Sequence, residues 1–137
     1  MPSRSIAEQL RAALAPLWQS RRHRLIVLFG SAARGTATPG SDIDLAFLPA
    51  NGMDATAVTN EVIRETHRND VDVVDLSRAD PLTRMQVARH GVVLFAEDDS
   101  TFPEFCSLAF RTYVDSEKLR RAQRRALDLF QQGHEPS

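Results

Sequence analysis

The sequence predicts an α/β fold in which helices pack on a small mixed sheet, arranged as one domain over residues 1–137. Short apolar runs alternate with segments of helical periodicity, which is typical of this fold class. The longest helical pattern comes last, over about 101–132. A chain of 137 residues that is 42% hydrophobic and 26% charged is also large enough to bury a core.

Composition excludes several classes of protein. The formal net charge is −1, which argues against a general nucleic-acid binder. With Cys106 as its single cysteine, the chain forms no internal disulfide and no cysteine-based zinc cluster. No apolar run approaches the 18 or so residues that cross a membrane, and Met1 leads into a polar-faced helix instead of a signal sequence. We therefore expect a soluble, cytoplasmic protein that binds neither membrane nor nucleic acid directly.

The chain begins with a predicted helix. Ser5 and Glu8 have the spacing of a capping box, and the helix is expected to run to about Ser20. Its apolar stripe consists of Leu10, Ala13, Leu14, Leu17 and Trp18. The basic run 21–24 is interpreted as an exposed connector, with a nucleotide contact as the alternative. Leu25 to Phe29 are continuously apolar, which predicts a strand covered on both faces.

A second strand, ending near Leu48, carries two aspartates. Because side chains at i and i+2 leave the same face of a strand, Asp42 and Asp44 point together, about 7 Å apart at the backbone. Ile43, Leu45 and Phe47 then face the apolar side. Two carboxylates about 6 Å apart repel by roughly 3 kcal/mol at an effective dielectric constant near 20. This pattern favours a bound cation, and Mg²⁺ suits it because it couples one or two carboxylates to substrate phosphates.

The turn between these two strands predicts a phosphate site. Gly30 has no Cβ, so a ligand can approach its backbone closely. Ser31 can cap the following helical turn and present a hydroxyl and N–H groups to an anion. Arg34, in the loop above, is shaped to pair with phosphate oxygens, although an exposed loop arginine is an equally good interpretation.

The second half of the chain predicts three helices and two strands. A helix is expected over Asp54 to about His67 with Val58, Val62 and Ile63 inside, and a third strand over Val71–Leu76. Asp80 caps a helix that begins at Pro81, ends at Gly91 and buries Leu82, Met85 and Ala88. His90 is interpreted as a helix-end residue and not as a catalytic base. Val92–Phe95 is an edge strand.

The last helix is expected to begin with a capping box at Thr101 and Glu104. Its packed stripe is Phe102, Phe105, Leu108, Ala109, Tyr113 and Val114. Beyond Asp115 the helix is basic, with one packed face and one solvated face predicted and a partner-binding arm as the alternative.

The third strand offers a further carboxylate. Alternation puts Asp70 and Asp72 on one face and Asp75 on the other, so periodicity alone does not choose between them. Asp70 lies at the start of the strand, where it can simply cap it. Asp75 lies at the far end, where it can face solvent.

The segment 30–47, GSAARGTATPGSDIDLAF, resembles the signature of the DNA polymerase beta-type nucleotidyltransferases in its minimal form. It is most similar to the small nucleotidyltransferases that act as antitoxins beside HEPN-domain ribonuclease toxins. The resemblance implies the nucleotidyltransferase fold and maps the third acidic residue of the family onto Asp72.

The resemblance also implies an activity. Two Mg²⁺ ions held by Asp42, Asp44 and Asp72 would support attack of a hydroxyl on the α-phosphorus of ATP, while Gly30 and Ser31 hold the phosphates. The acceptor would be a tyrosine of a HEPN toxin, and transfer of AMP to this tyrosine would silence the toxin. Two alternatives stay open: a binding-only antitoxin, and a nucleotidyltransferase that modifies a small molecule.

Overall fold

The computed structural model describes residues 5–19, 23–34, 42–50 and 54–133, without the side chains at positions 18, 34 and 133. In chain order the elements are α1 (Ile6–Ala13), α2 (Ala15–Gln19), β1 (His23–Phe29), α3 (Gly30–Arg34), β2 (Ile43–Pro49), α4 (Ala55–Thr66), β3 (Val71–Asp75), α5 (Pro81–His90), β4 (Val92–Ala96) and α6 (Thr101–Gly133). No helix in these ranges is long and apolar enough to cross a membrane.

The sheet is mixed, as predicted. Its four strands lie in the order β3-β2-β1-β4. Strand β1 pairs antiparallel with both β2 and β4, while β2 and β3 are parallel. Consequently the end of β1 and the beginnings of β2 and β3 meet at one edge of the sheet. The predicted edge position of β4 is confirmed.

Helices cover both faces of the sheet. On one face, Ile43, Leu45 and Phe47 pack with buried residues of α1 and α4, which confirms the predicted apolar side of β2. On the other face, Leu25 and Val27 belong to a second core cluster that includes residues of α5 and α6. Because Leu25 to Leu28 are all at most 2% exposed, β1 is covered on both sides as expected.

Three predicted helix starts are confirmed by side-chain caps. The Glu8 N–H donates to Ser5 Oγ at 3.2 Å, and Asp54 and Asp80 accept from the backbone at 2.8 and 2.7 Å. These caps satisfy N–H groups that have no partner within the helix. Each cap therefore fixes the residue at which its helix begins. For α4 and α5, this starting residue determines how the helix packs on the sheet.

Two predictions near the N-terminus were wrong. The first helix is divided at Leu14, because Pro16 has no N–H to continue the hydrogen-bond ladder. Strand β1 begins at His23, which is 1% exposed and has its Nε2 3.6 Å from a Glu61 carboxylate oxygen. His23 is therefore a core residue and no exposed connector; Arg21 and Arg22 lie outside the described residues.

Two further predictions fail in the second half. Leu82 is 50% exposed, and Val87 is fully buried in its place. The Glu104 N–H donates to the Ser100 carbonyl at 2.9 Å, so Thr101 already lies inside α6 and forms no capping box.

Helix α6 changes character along its 33 residues. Phe105 and Ala109 are buried against the sheet and α5, whereas Leu108 and Val114 of the predicted stripe are both 46% exposed. From position 118 to 132 every side chain is exposed, including Leu127 and Phe130. The predicted packed face is thus wrong for this basic segment, since its described side chains are all exposed.

Candidate active site

The site lies where β2 and β3 begin. Asp44 and Asp72 are Cα partners in the parallel pairing of these strands. Residues in register on neighbouring strands project to the same face, about 4.8 Å apart across the sheet. Asp44 is half-buried and Asp72 is exposed. Two carboxylates from different parts of the chain are therefore brought side by side by strand register alone.

Gly30 closes the site from the end of β1. Its neighbour Phe29 is the register partner of Asp44 in the β1–β2 pairing. Gly30 has φ +75°, and a Cβ at this position would overlap the Asp44 carboxylate, with Cγ only 3.2 Å away. The absence of a side chain thus lets the α3 backbone approach the Asp44 carboxylate closely.

The electrostatics identify the carboxylates as one cluster. Burial raises the pKa of Asp44 above its ordinary value, and the negative charges of Asp72 and Asp42 raise this pKa further. Both effects disfavour the ionised form of Asp44. The cluster is therefore an arrangement that a bound cation would relieve.

The other two acidic candidates of this segment have structural partners. Asp70 receives two hydrogen bonds from the Arg68 guanidinium, at 2.8 and 2.9 Å. Asp75 accepts from the Ser77 N–H and hydroxyl at 2.9 and 2.6 Å. Strand alternation also turns Asp75 away from Asp72. Of the three, only Asp72 lies beside Asp44.

A cavity of about 400 Å³ opens in front of the two carboxylates. It is lined by Phe29, Gly30, Asp44, Asp72, Val74, Thr83, Gln86 and His90. The three residues contributed by α5 were not predicted as site residues. Their spacing of three and four residues places them on one helix face, a polar stripe that could have been detected in the sequence.

The structure describes the remaining predicted site residues in less detail. Asp42 is exposed and directly precedes β2, Ser31 is half-buried in α3, and the side chain of Arg34 lies outside the described residues. Asp42 affects Asp44 through its charge.

The side chains available as ligands limit which ion the site could hold. In the described ranges no three His, Cys, Asp or Glu side chains are grouped to hold a metal ion by themselves. Among the described residues that line the cavity there is no lysine or arginine. A hard cation that takes one or two carboxylates and completes its shell with phosphate oxygens fits this arrangement.

Comparison with known proteins identifies the family. The model of the family described as polymerase beta, nucleotidyltransferase matches residues 15–100, a range that contains Gly30, Asp44 and Asp72. The chain belongs to this family. Its nucleotidyltransferase fold, predicted from the motif, is thereby confirmed.

Three relatives of this nucleotidyltransferase are informative. The protein adenylyltransferase MntA of Shewanella oneidensis is 37% identical over 83 residues, a match that spans 58% of this chain and 60% of that protein. A crystal structure of a toxin-antitoxin with AMP-PNP superposes with a TM-score of 0.72 at 27% identity, covering 85% of this chain and 97% of that chain. The matched chain in the complex of a tri-AMPylated Shewanella oneidensis HEPN toxin with MNT antitoxin has the same fold. Its TM-score is 0.67 at 24% identity, over 89% of this chain and 98% of the matched chain.

Proposed function

We propose that this nucleotidyltransferase transfers AMP from ATP to a tyrosine hydroxyl of a HEPN toxin and thereby acts as its antitoxin. One observation carries the proposal: Asp44 and Asp72 stand in register beside Gly30, within the part of the chain that matches the family. The adenylyltransferase relative and the AMP-PNP complex support ATP as the substrate. The antitoxin assignment rests on the resemblance and on the toxin-antitoxin neighbours.

The reaction is an in-line displacement at the α-phosphorus of ATP. A bond forms between the acceptor oxygen and the α-phosphorus, and the bond between that phosphorus and the bridging oxygen of pyrophosphate breaks. Asp72, exposed at the start of β3, accepts the proton of the acceptor hydroxyl. Gly30 and Ser31 hold the β- and γ-phosphates, so that the leaving group is fixed at the β1–α3 turn, and Arg34 is proposed as a further phosphate contact.

Asp44 and its register partner Asp72 would hold the Mg²⁺ that accompanies ATP; we propose Asp42 as a further ligand and two ions in all, as the family resemblance implies. When bound, Mg²⁺ neutralises charge on the phosphates and on the carboxylates. The rest of the acceleration comes from positioning, because phosphoryl-type transfer requires little covalent chemistry from the protein.

The experiment is incubation of the full chain with ATP, Mg²⁺ and a purified HEPN toxin, taken from the neighbouring gene if that gene encodes one. Intact-mass spectrometry should show that the HEPN protein gains one or more AMP units and that its ribonuclease activity falls in parallel. Complete neutralisation without any mass gain would contradict the enzymatic proposal and favour a binding-only antitoxin. Labelling of small molecules but not of the protein would favour a nucleotidyltransferase that modifies a small molecule.

A further inference from the structure

We propose that residues 118–132, called here the α6 extension, form a docking helix for the protein that accepts AMP. The occupant to which we assign this surface is a helix of the HEPN toxin that has an apolar face with acidic residues along its margins. This inference rests on the proposed function and deepens it, because it assigns to the partner a surface separate from the catalytic carboxylates.

The α6 extension leaves the domain because α6 is longer than the sheet on which it packs. Its 33 residues span about 50 Å, whereas the two strands of seven residues span only about 23 Å. Among the described residues of α6, the last buried side chain is that of Ala109. From 118 to 132 every described side chain is exposed. About four helical turns are therefore available to a partner.

The side chains of the α6 extension are sorted onto two halves of the helix. At about 100° per residue, one half carries every apolar side chain of the extension, namely Leu119, Ala122, Ala126, Leu127, Leu129 and Phe130. The other half carries every charged side chain, namely Lys118, Arg120, Arg121, Arg124, Arg125 and Asp128. The apolar half continues the line of Phe105 and Ala109, which are buried in the core. Because an amphipathic helix is stabilised by burying its apolar side, this pattern indicates a helix that packs against another body.

The centre of the apolar half favours a protein partner over a lipid surface. Ala122, Gln123 and Ala126 lie there, between Leu119 and Leu127. The two small alanine side chains let another helix approach closely and leave room for its larger side chains. The Gln123 amide needs hydrogen-bond partners when it is covered, and a protein supplies them whereas lipid tails do not.

The charges favour an acidic partner over a second copy of this chain. The α6 extension has five basic residues and one acidic residue, Asp128. Lys118 and Arg120 lie at the two margins of the apolar half, so a second copy would bring basic side chains together in either orientation. Arg120 is oriented by a hydrogen bond to the Ser116 carbonyl at 3.4 Å and by the Tyr113 ring, whose centroid is 5.9 Å away. Carboxylates beside the apolar face of a partner helix would complement both margins.

Helix α6 also packs on the helix that forms one wall of the candidate active site. Cys106 Sγ lies 3.8 Å from the Ala88 carbonyl oxygen, in the last turn of α5. His90, in the same turn, lines the cavity in front of the catalytic carboxylates. A toxin bound to α6 is therefore held on the same rigid body as the bound ATP, which raises the effective concentration of its tyrosine.

The test uses the full chain and a purified HEPN toxin. Leu119→Glu and Leu127→Glu each place a charge on the apolar half, at positions that are 59% and 56% exposed, so the fold should be retained. We expect the Kd for the toxin, measured by calorimetry, and the KM for the toxin in AMP transfer to rise by roughly 10- to 100-fold. The kcat at saturating toxin and the Kd of AMP-PNP with Mg²⁺ should stay at the wild-type values. The matched control is Gln132→Glu, which adds the same charge to the exposed polar half and should behave as the wild type.

Four outcomes would overturn the inference. The Leu119→Glu and Leu127→Glu variants could bind the toxin as the wild type does, or Gln132→Glu could lose as much affinity as they do, which would indicate an effect of charge alone. Sedimentation could show a wild-type dimer that Leu119→Glu dissociates, which would assign the apolar half to a second copy. Wild-type binding to anionic phospholipid vesicles that Leu119→Glu abolishes would assign it to a membrane. A wild type that binds the toxin but transfers no AMP would contradict the proposed activity instead, and the toxin affinities of the variants would still decide the docking surface.

Discussion

Asp44 and Asp72 are register partners on the parallel strands β2 and β3, although 28 positions of sequence numbering separate them. Asp44 is half-buried, and the charge of Asp72 helps to raise its pKa. The fold therefore holds two like charges together where one of them is partly removed from water. Such a pair destabilises the unliganded protein, which is the usual condition of a site prepared for a cation.

Replacing Asp44 with asparagine should stabilise the unliganded fold at pH 7. The pKa of Asp44 is raised in the folded state, so its ionisation opposes folding above that pKa. As the pH falls through the raised pKa toward the ordinary value of about 3.9, the wild type regains this stability and the advantage of Asp44→Asn should disappear. Urea denaturation at several pH values measures the difference. An asparagine variant less stable than wild type at pH 7 would contradict the electrostatic account.

Asp70→Asn is the matched control with the opposite sign. The hydrogen bond from Arg68 lowers the pKa of Asp70, so this carboxylate contributes stability above its unfolded pKa and loses it as the pH falls. We expect the variant to lose no more than about 1 kcal/mol of unfolding free energy at pH 7, since this ion pair is half-buried and solvent still screens it.

Gly30→Ala should damage the fold and the site together. The φ of +75° disfavours any residue with a Cβ by roughly 1–2 kcal/mol, and the new Cβ would overlap the Asp44 carboxylate. In an Asp44→Ala background the overlap is gone, so the cost of Gly30→Ala should shrink to its conformational part. A double-mutant cycle by denaturant unfolding measures this coupling. Equal losses of unfolding free energy in both backgrounds would mean that glycine is required at position 30 only for its backbone φ angle.

The strands of the site could be predicted from the sequence because their local patterns agree with their environment. The continuous apolar run of β1 and the alternation of Asp44 with Leu45 and Phe47 each report burial directly. The caps at Asp54 and Asp80 are equally local, since a cap depends on residues within one helical turn.

Other features depend on contacts between distant parts of the chain. Periodicity could not choose between Asp72 and Asp75, because the choice depends on which residue of β2 each one opposes. Likewise, His23 belongs to a basic run but is buried beside Glu61 and Phe47, which approach it only in the fold. The α5 wall of the cavity was missed because the polar stripe at Gln86 and His90 is assigned to solvent unless its position over the sheet is known.

The core on the α1–α4 side of the sheet should account for much of the stability. Phe47 is 1% exposed within that cluster, so Phe47→Ala should cost about 3–5 kcal/mol of unfolding free energy. Leu127, 56% exposed on α6, is the matched control, and Leu127→Ala should change stability by no more than about 0.5 kcal/mol. Denaturant unfolding of both variants tests the assignment; a large loss for Leu127→Ala would show that α6 is covered in solution.

We propose that Asp72, and not its acidic neighbours in the chain, completes the catalytic pair with Asp44. The most direct measurement is the rate of AMP transfer to the HEPN partner by Asp72→Asn, Asp75→Asn and Asp70→Asn at saturating ATP and Mg²⁺. We predict a loss of roughly 10²- to 10⁴-fold for Asp72→Asn, as expected for removal of a general base, and rates close to wild type for the other two. A folded Asp72→Asn variant with wild-type transfer, or a comparable loss in Asp75→Asn, would contradict the claim.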